Sequence, residues 1–358
     1  MTEGAELSQL WHQFLSEARS SYGLYSRDVD WERVQTGLRW KRPFRACWAL
    51  FRVLLMKLTP ARRVMLLAAV VFLLWPRVEF TPRGSIVVIE PGTLGVLLLF
   101  VLLALELADR VTMKRDLEIA REIQHRLLPE RPPEIPGFEM SFRSRPANTV
   151  GGDYYDAFPR PGKPSRILVA VADVAGKSVP AALLMATFQA SLEALAALPG
   201  NLTDLAQGLN RYTSAHSLDG LRFTTAFVAE LEPSTGALEY VNAGHNAPFL
   251  LRSSGATERL EATGVPLGIA ATTVYSASRV QLAAGDLLAV FSDGLTEAVD
   301  EREQEYGEAR LRAVLDRMRG TSAHELLEAV FFDVDRYVGQ ARQHDDITCL
   351  VLRRSATP

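Results

Sequence analysis

Arg166-Ile167-Leu168-Val169-Ala170-Val171-Ala172-Asp173-Val174-Ala175-Gly176-Lys177-Ser178 is the stretch from which the rest of the chain is read. Its first half is an unbroken apolar run of strand length, the pattern of a strand buried on both faces. The run stops at the Asp173 carboxylate, turns through small residues, and meets Ser178-Val179-Pro180. Serine ahead of a proline in the first turn is a helix-start signal. Strand, carboxylate, tight turn and helix therefore place Asp173 at the rim of a sheet.

The same grammar recurs. Leu287-Leu288-Ala289-Val290-Phe291-Ser292-Asp293-Gly294 is another apolar run closing on Asp-Gly, and Asp345-Asp346-Ile347-Thr348-Cys349-Leu350-Val351-Leu352 is its mirror image. Gly151-Gly152-Asp153-Tyr154-Tyr155-Asp156 adds two acids on a glycine-loosened segment. Acidic sites at strand ends with few neighbouring cations predict a shared site for a hard metal. Mg²⁺ and Mn²⁺ take oxygen ligands and keep several waters, so a few carboxylates from different strands suffice. Two such ions side by side can lower the pKa of a shared water and clamp a phosphoryl oxygen. No other nucleophile stands out. There is no Gly-x-Ser-x-Gly elbow and no His pair at metal spacing, and Ala175-Gly176-Lys177-Ser178 matches only the tail of a phosphate loop, with Val171 where the earlier glycine belongs.

A chain of 358 residues is long for one compact domain, so a large domain plus a second part is expected. The net charge of −3 argues against a globally basic nucleic-acid binder, and no Lys/Arg stripe interleaved with aromatics runs through the C-terminal two thirds. Cys47 and Cys349 lie far apart and read as small core residues of a reducing compartment, without a disulfide or a zinc site. The first residues are polar and acidic, with no basic-then-apolar signal pattern.

Residues 1–63 read as a helical, basic region. Trp11, Phe14 and Leu15, then Trp31, Val34 and Leu38, have helical spacing, and cations crowd from Arg33 to Arg63. Around Phe44–Leu58 those cations alternate with Trp48, Phe51 and leucines, as in a helix lying on an anionic membrane surface. Two apolar blocks follow within 64–109, Val64–Trp75 and Gly92–Leu105. Their uninterrupted cores are short against the roughly 20 residues of a spanning helix. Neither block has a polar face, however, and cations precede the first and follow the second (Arg110, Lys114, Arg115), as expected for a membrane hairpin with both ends cytoplasmic. The localisation expected is the cytoplasmic membrane, with the C-terminal domain in the cytoplasm. The alternative is a soluble cytoplasmic protein whose two blocks are buried helices.

Residues 110–129 read as a charged linker helix. Met113, Leu117, Ala120, Gln124 and Leu127 form a heptad-like seam, either a solvated connector or a dimerising signalling helix. The prolines of 129–137 end it. From 138 to 354 the pattern is mixed. Helices are predicted over Pro180–Leu198, Thr203–His216, Glu308–Arg319 and Ala323–Val338. A hairpin joins Phe223–Leu231 to Leu238–Asn242, and further strands fall at Phe249–Arg252, Val274–Leu282, Leu287–Ser292 and Ile347–Leu352. Hairpin-linked strands with paired helices predict an α+β domain with antiparallel sheets inside and helices outside.

Seven motifs in order complete the picture: Ala120-Arg121-Glu122-Ile123-Gln124 with Leu127-Leu128-Pro129, Val150–Asp156, Val171–Lys177, Asn242-Ala243-Gly244-His245-Asn246, Pro266-Leu267-Gly268, Ser292-Asp293-Gly294 and Asp345-Asp346-Ile347-Thr348. Together they resemble the SpoIIE/RsbU branch of the PPM-type serine/threonine phosphatases, over about Asp116 to Arg354. The resemblance implies an α/β/β/α sandwich with a site for two Mn²⁺ or Mg²⁺ ions on the rim between the sheets. By motif match Asp173 is the bridging ligand and the Val174 carbonyl another, with Asp153, Asp293 and Asp345 completing the set. Asp153, Asp173 and Asp293 would act catalytically through water that the metals activate, which attacks phosphorus in line. Asp156 is either a ligand or a turn cap, and Asp346 either a ligand or the group that orients Asp345. His245 is a loop residue holding backbone groups or a general acid, and Lys177 is a surface or substrate-contacting cation. The arginine that the wider superfamily places near the phosphate is missing from the motif, so phosphate capture would rest on the metals.

The function expected is hydrolysis of phosphoserine or phosphothreonine on a regulatory protein, a STAS-type anti-sigma-factor antagonist, under control of the N-terminal region. The alternative is a non-catalytic scaffold that sequesters a STAS or kinase partner. A membrane contact through the N-terminal region and a homodimer through the linker helix are the other partnerships expected, and no nucleic acid.

Overall fold

The computed structural model describes residues 29, 31, 42–76, 78–80, 87–216 and 222–355. Trp11, Phe14, Leu15, Val34 and Leu38, with Arg33, Arg39 and Lys41, lie outside these. The chain divides into two compact units, residues 1–113 and 114–358.

In the first unit, α1 (Arg42–Lys57) and α2 (Pro60–Leu74) precede a two-stranded antiparallel ribbon of β1 (Val78–Phe80) and β2 (Val87–Ile89). Next comes α3 (Pro91–Leu127), which carries the chain into the second unit. The second apolar block and the linker are thus one helix of 37 residues, not two segments. After Gly95 nothing in it breaks a helix, since neither Gly nor Pro occurs again before Pro129. Pro60 sits in the first turn of α2, where its missing N–H costs nothing.

Within this unit α2 and α3 run antiparallel. Arg62 Nη1 reaches Glu106 at 2.9 Å and Asp109 at 2.7 Å. Ala69 is fully buried, and a Cβ on Gly95 would stand 2.8 Å from the Ala69 carbonyl oxygen. Small residues let the two backbones touch, as in helix pairs packed in lipid. Their outward faces carry exposed Val64, Leu67, Val71, Leu97, Phe100 and Leu103. Cys47 is exposed on α1, contrary to the core role expected of it, because α1 has no layer packed over that face among the described residues, whereas Cys349 is buried as expected.

The second unit is an α/β/β/α sandwich. Its strands are β3 (Phe138–Arg145), β4 (Tyr154–Arg160), β5 (Lys163–Val174), β6 (Thr224–Glu232), β7 (Ala237–Ala243), β8 (Phe249–Leu251), β9 (Thr257–Arg259), β10 (Ser278–Gln281), β11 (Leu287–Phe291) and β12 (Ile347–Arg354). They form two five-stranded sheets, ordered β10-β7-β6-β5-β4 and β3-β12-β11-β8-β9, with antiparallel pairing throughout. The helices are α4 (Ser178–Ala196), α5 (Leu202–Ala215), the single turn α6 (Asp293–Thr296), α7 (Glu308–Arg317) and α8 (Ala323–Val338).

Strand alternation sorts the core into three layers. Ile167, Val169 and Val171 of β5 face Leu288, Val290, Leu350 and Leu352 of the other sheet. Leu168, Ala170, Ala172 and Val174 face away, onto Met185, Phe188 and Leu192 of α4 and Leu205 and Leu209 of α5. Phe249, Ala289, Phe291, Cys349 and Val351 do the same under α7 and α8. Both faces of β5 are therefore dry, which explains its continuous apolar run; each buried Val, Leu or Ile contributes on the order of 1.5–3 kcal/mol by leaving water, and each Ala less. Asn201 with Asp204, and Ser322 with Glu325, close capping boxes that start α5 and α8.

The predicted helices and hairpin appear within one to two residues at nearly every end. The strand expected over Val274–Leu282 shortens to Ser278–Gln281, since Tyr275 turns inward and donates its hydroxyl to the Val265 carbonyl at 3.1 Å. The segment Gly151–Asp156, read as loosened by its glycines, enters β4 from Tyr154 onward.

Candidate metal centre

Antiparallel pairing brings the acids to one end of the sandwich. Tyr154 at the start of β4 pairs with Ala172 at the end of β5, and Phe291 at the end of β11 pairs with Cys349 at the start of β12. Asp153, Asp173, Asp293 and Asp345 each lie at or just beyond these strand ends, and Asp173 continues the row of β5 side chains that faces the other sheet. Burial raises the Asp173 pKa to about 7, helped by the like charges of Asp293, Asp345 and Asp346. Asp153 is 5% exposed and is pushed well up, by burial first and then by Asp173 and Asp346. Burial and Asp345 also raise Asp293. Four chain segments thus meet as a mutually repelling group of carboxylates.

Two details shape its floor. A Cβ on Gly152 would come within 3.0 Å of the Val174 carbonyl oxygen, so only glycine lets the Asp153 segment pass so close to β5. Gly176 at φ +126° and Ser178 at φ +62° make the turn from β5 into α4 sharp, which keeps Asp173 at the rim.

Among the described residues, no three or more His, Cys, Asp or Glu side chains are closed into a ready coordination shell. The donor chemistry nevertheless fits a hard divalent cation: every candidate is oxygen, and the buried Oδ2 of Asp153 has no hydrogen-bond partner. An orphaned buried carboxylate oxygen costs free energy unless a cation or a proton meets it.

Residues 163–355, more than half of the chain, match the profile of the family described as Stage II sporulation protein E (SpoIIE). The chain belongs to the SpoIIE family. Phosphoserine phosphatase RsbU of Bacillus subtilis is 30% identical over 243 residues, covering 68% of this chain and 71% of RsbU. Protein IcfG of Synechocystis is 26% identical over 280 residues, 71% of this chain but 44% of IcfG, so the chain spans less than half of that relative. Among solved structures, the SiaA-PP2C domain of Pseudomonas aeruginosa superposes with a TM-score of 0.60 at 22% identity, over 69% of this chain and 98% of that domain. The sandwich is the PP2C-like fold of the SpoIIE family.

The remaining site residues fall into place around this SpoIIE-family core. Asp346 stands beside the cluster, with both carboxylate oxygens taken by backbone amides. Its Oδ1 accepts the Ala147 N–H at 2.7 Å and its Oδ2 the Gly152 N–H at 2.6 Å, so it anchors the loop that carries Asp153. Asp156 stands apart, accepting from the Tyr154 hydroxyl at 2.8 Å and from the Ala157 N–H at 2.7 Å, under α4. Lys177 pairs with Asp345 at 2.9 Å and donates to the His344 carbonyl at 2.8 Å. His245 is buried, with Nδ1 3.0 Å from the Thr225 hydroxyl, and burial lowers its pKa to about 4, which keeps the ring neutral. The Asn242 side chain accepts its backbone N–H at 2.8 Å.

Sequence reading passed over the hydroxyls of Ser292 and Thr348, which stabilise the Asp153 carboxylate. It also passed over Glu297, raised by burial and then by Asp293. Ser292 and Thr348 stand in motifs dominated by their acids, and Glu297 sits one turn beyond Asp293, a spacing that alone signals nothing. Gln124, the polar member of the heptad-like seam, is buried against Gly151.

Proposed function

We propose that the chain is a metal-dependent protein serine/threonine phosphatase that hydrolyses phosphoserine or phosphothreonine on a regulatory protein of the STAS type. The observation that carries this reading is the convergence of Asp153, Asp173, Asp293 and Asp345 from four distant segments, with the Asp153 Oδ2 left without a partner. Family membership and the 30% identity to a phosphoserine phosphatase support it. These four carboxylates and the Val174 carbonyl would hold two Mn²⁺ or Mg²⁺ ions. When bound, such ions lower the pKa of water and draw charge from a phosphoryl group.

The chain's own residues prepare the ground. Ser292 and Thr348 offset part of the rise that burial imposes on the Asp153 pKa, and Asp346 fixes the loop before it. Lys177, half exposed at the mouth, stands where an incoming phosphate would compete for its charge. His245, neutral and buried, ties the start of β7's following loop to β6 through Thr225 and is poorly placed to donate protons. Hydrolysis of a phosphoserine peptide by the full chain should require Mn²⁺ or Mg²⁺, cease in EDTA, and be lost in Asp173→Asn. Retained hydrolysis in that variant would overturn the assignment.

The first unit is read as a membrane tether that controls the phosphatase. Of the described helices, Pro91–Leu127 and Ser178–Ala196 are long and apolar enough to span, but the second packs Ala181, Met185, Phe188 and Leu192 into the domain core. At 15 residues α2 is short of a full span. Its close pairing with α3, the Arg62 clasp and the outward leucines support a short hairpin in lipid. Recovery of the full chain in the soluble fraction without detergent would refute the tether.

A further inference from the structure

Gln124 lies near the end of α3, in the second unit, and is 8% exposed although Ile123 and His125 beside it face solvent. Its carboxamide grips one residue from both ends. Nε2 donates to the Gly151 carbonyl at 2.7 Å, and the Gly151 N–H donates to Oε1 at 3.1 Å. Helix formation does not call for such a bond, because a surface glutamine satisfies itself with water.

Gly151 opens the two-residue approach to Asp153. On the other side of that glycine stands the Asp346 carboxylate, close enough that a Cβ could not be accommodated. Asp346 also takes the Gly152 N–H. The loop is therefore pinned from two directions, by a carboxylate next to Asp345 and by an amide from a helix outside the sheets. Because the Asp153 Oδ2 has no hydrogen-bond partner of its own, the location of that oxygen depends on the backbone behind it.

We propose that Gln124 is a positioning residue for Asp153: the seating of the α3 end on Gly151 sets where the Asp153 carboxylate stands, and so how well the acid cluster receives a divalent cation. This deepens the phosphatase reading and rests on its assignment of Asp153 to the metal. It also gives that helix a direct line to the chemistry, through two hydrogen bonds and two residues of backbone.

The test is Mn²⁺ binding, measured by calorimetry on the full chain in detergent micelles without substrate. Gln124→Leu keeps the volume and removes both hydrogen bonds. Its dissociation constant for Mn²⁺ should rise about tenfold, the worth of about one net hydrogen bond. Gln124→Glu, which keeps the acceptor for the Gly151 N–H and loses the donor, should fall in between. Val330→Ala, on the buried face of α8, serves as a control that lowers thermal stability without touching the loop. Hydrogen exchange at the Gly151 and Gly152 amides should quicken in Gln124→Leu and stay unchanged in the control.

Binding of Mn²⁺ by Gln124→Leu as tight as by the unaltered chain would overturn the positioning role. So would a loss no greater than that of Val330→Ala at matched stability. Failure of the unaltered chain to bind Mn²⁺ at all would overturn the metal centre itself and this role with it, which separates the two ideas.

Discussion

Replacing Asp173 with asparagine tests the acid cluster as charge and as chemistry in a single variant. Burial and the carboxylates of Asp293, Asp345 and Asp346 lift the Asp173 pKa from 3.8 to about 7. The folded state thus prefers the protonated acid. Well below pH 3.8 both states hold the proton and nothing is lost. As pH climbs toward 7, the unfolded chain gives up its proton first and native stability falls. About three units at about 1.4 kcal/mol each set a ceiling of about 4 kcal/mol above pH 7. Neighbouring carboxylates share that repulsion, and the asparagine must still be buried, so Asp173→Asn should stabilise the metal-free protein by about 1–2 kcal/mol at pH 8. That corresponds to a few degrees in Tm. Thermal unfolding in EDTA reads it directly. With Mn²⁺ at about 100 times its Kd the order should reverse, since the unaltered chain gains about 2.7 kcal/mol by mass action and the variant far less. Phosphopeptide hydrolysis should drop by at least about a hundredfold, the cost of one lost electrostatic contact to the transition state. An asparagine variant less stable than wild type in EDTA at pH 8, with no loss of wild-type stability between pH 4 and 8, would refute the reasoning.

Three further expectations rest on other parts of the molecule. Glu230 and Arg160 are both almost fully buried as an ion pair, with Arg166 at 3.3 Å from Glu230; Glu230→Gln should cost about 3–5 kcal/mol in urea unfolding, and a paired Arg160→Met/Glu230→Leu variant should recover most of it. His245, held neutral with a pKa near 4, adds stability that is full above about pH 6.5 and is lost as pH falls toward 4, so His245→Gln should flatten the stability profile in that window by up to about 3 kcal/mol. Gly95→Leu should separate α2 from α3, lowering the melting temperature of the first unit in detergent while leaving Mn²⁺ affinity unchanged.

What could be read from residue order follows from how each element is buried. β5 and β11 are dry on both faces, so their apolar runs announce them, and the carboxylates that end those runs mark the rim. β3 escaped notice because its Phe138-Glu139-Met140-Ser141-Phe142 mixes polar residues into a partly exposed edge. β4 was hidden by the preceding glycines, whose purpose is close approach and not looseness. The linker looked like a separate helix because its composition changes at Glu106, but composition does not break a helix and no residue there does. Its expected seam turned out to present Gln124 to a backbone glycine, while Ile119 and Ile123 point to solvent. Of the nominated acids, Asp156 stands apart from the rest, since alternation along β4 puts it on the Tyr154 side, where it meets that residue's hydroxyl.

Two acids at the rim come from one sheet's strands and two from the other's. The layers are otherwise held by greasy contacts that tolerate small slips, whereas a divalent ion tolerates almost none. Loading the site would therefore work as a rivet, fastening the halves in register and making the sandwich melt as a single block instead of leaf by leaf. A phosphatase built this way would report on its own integrity, because loosening between the leaves would silence it before it unfolds.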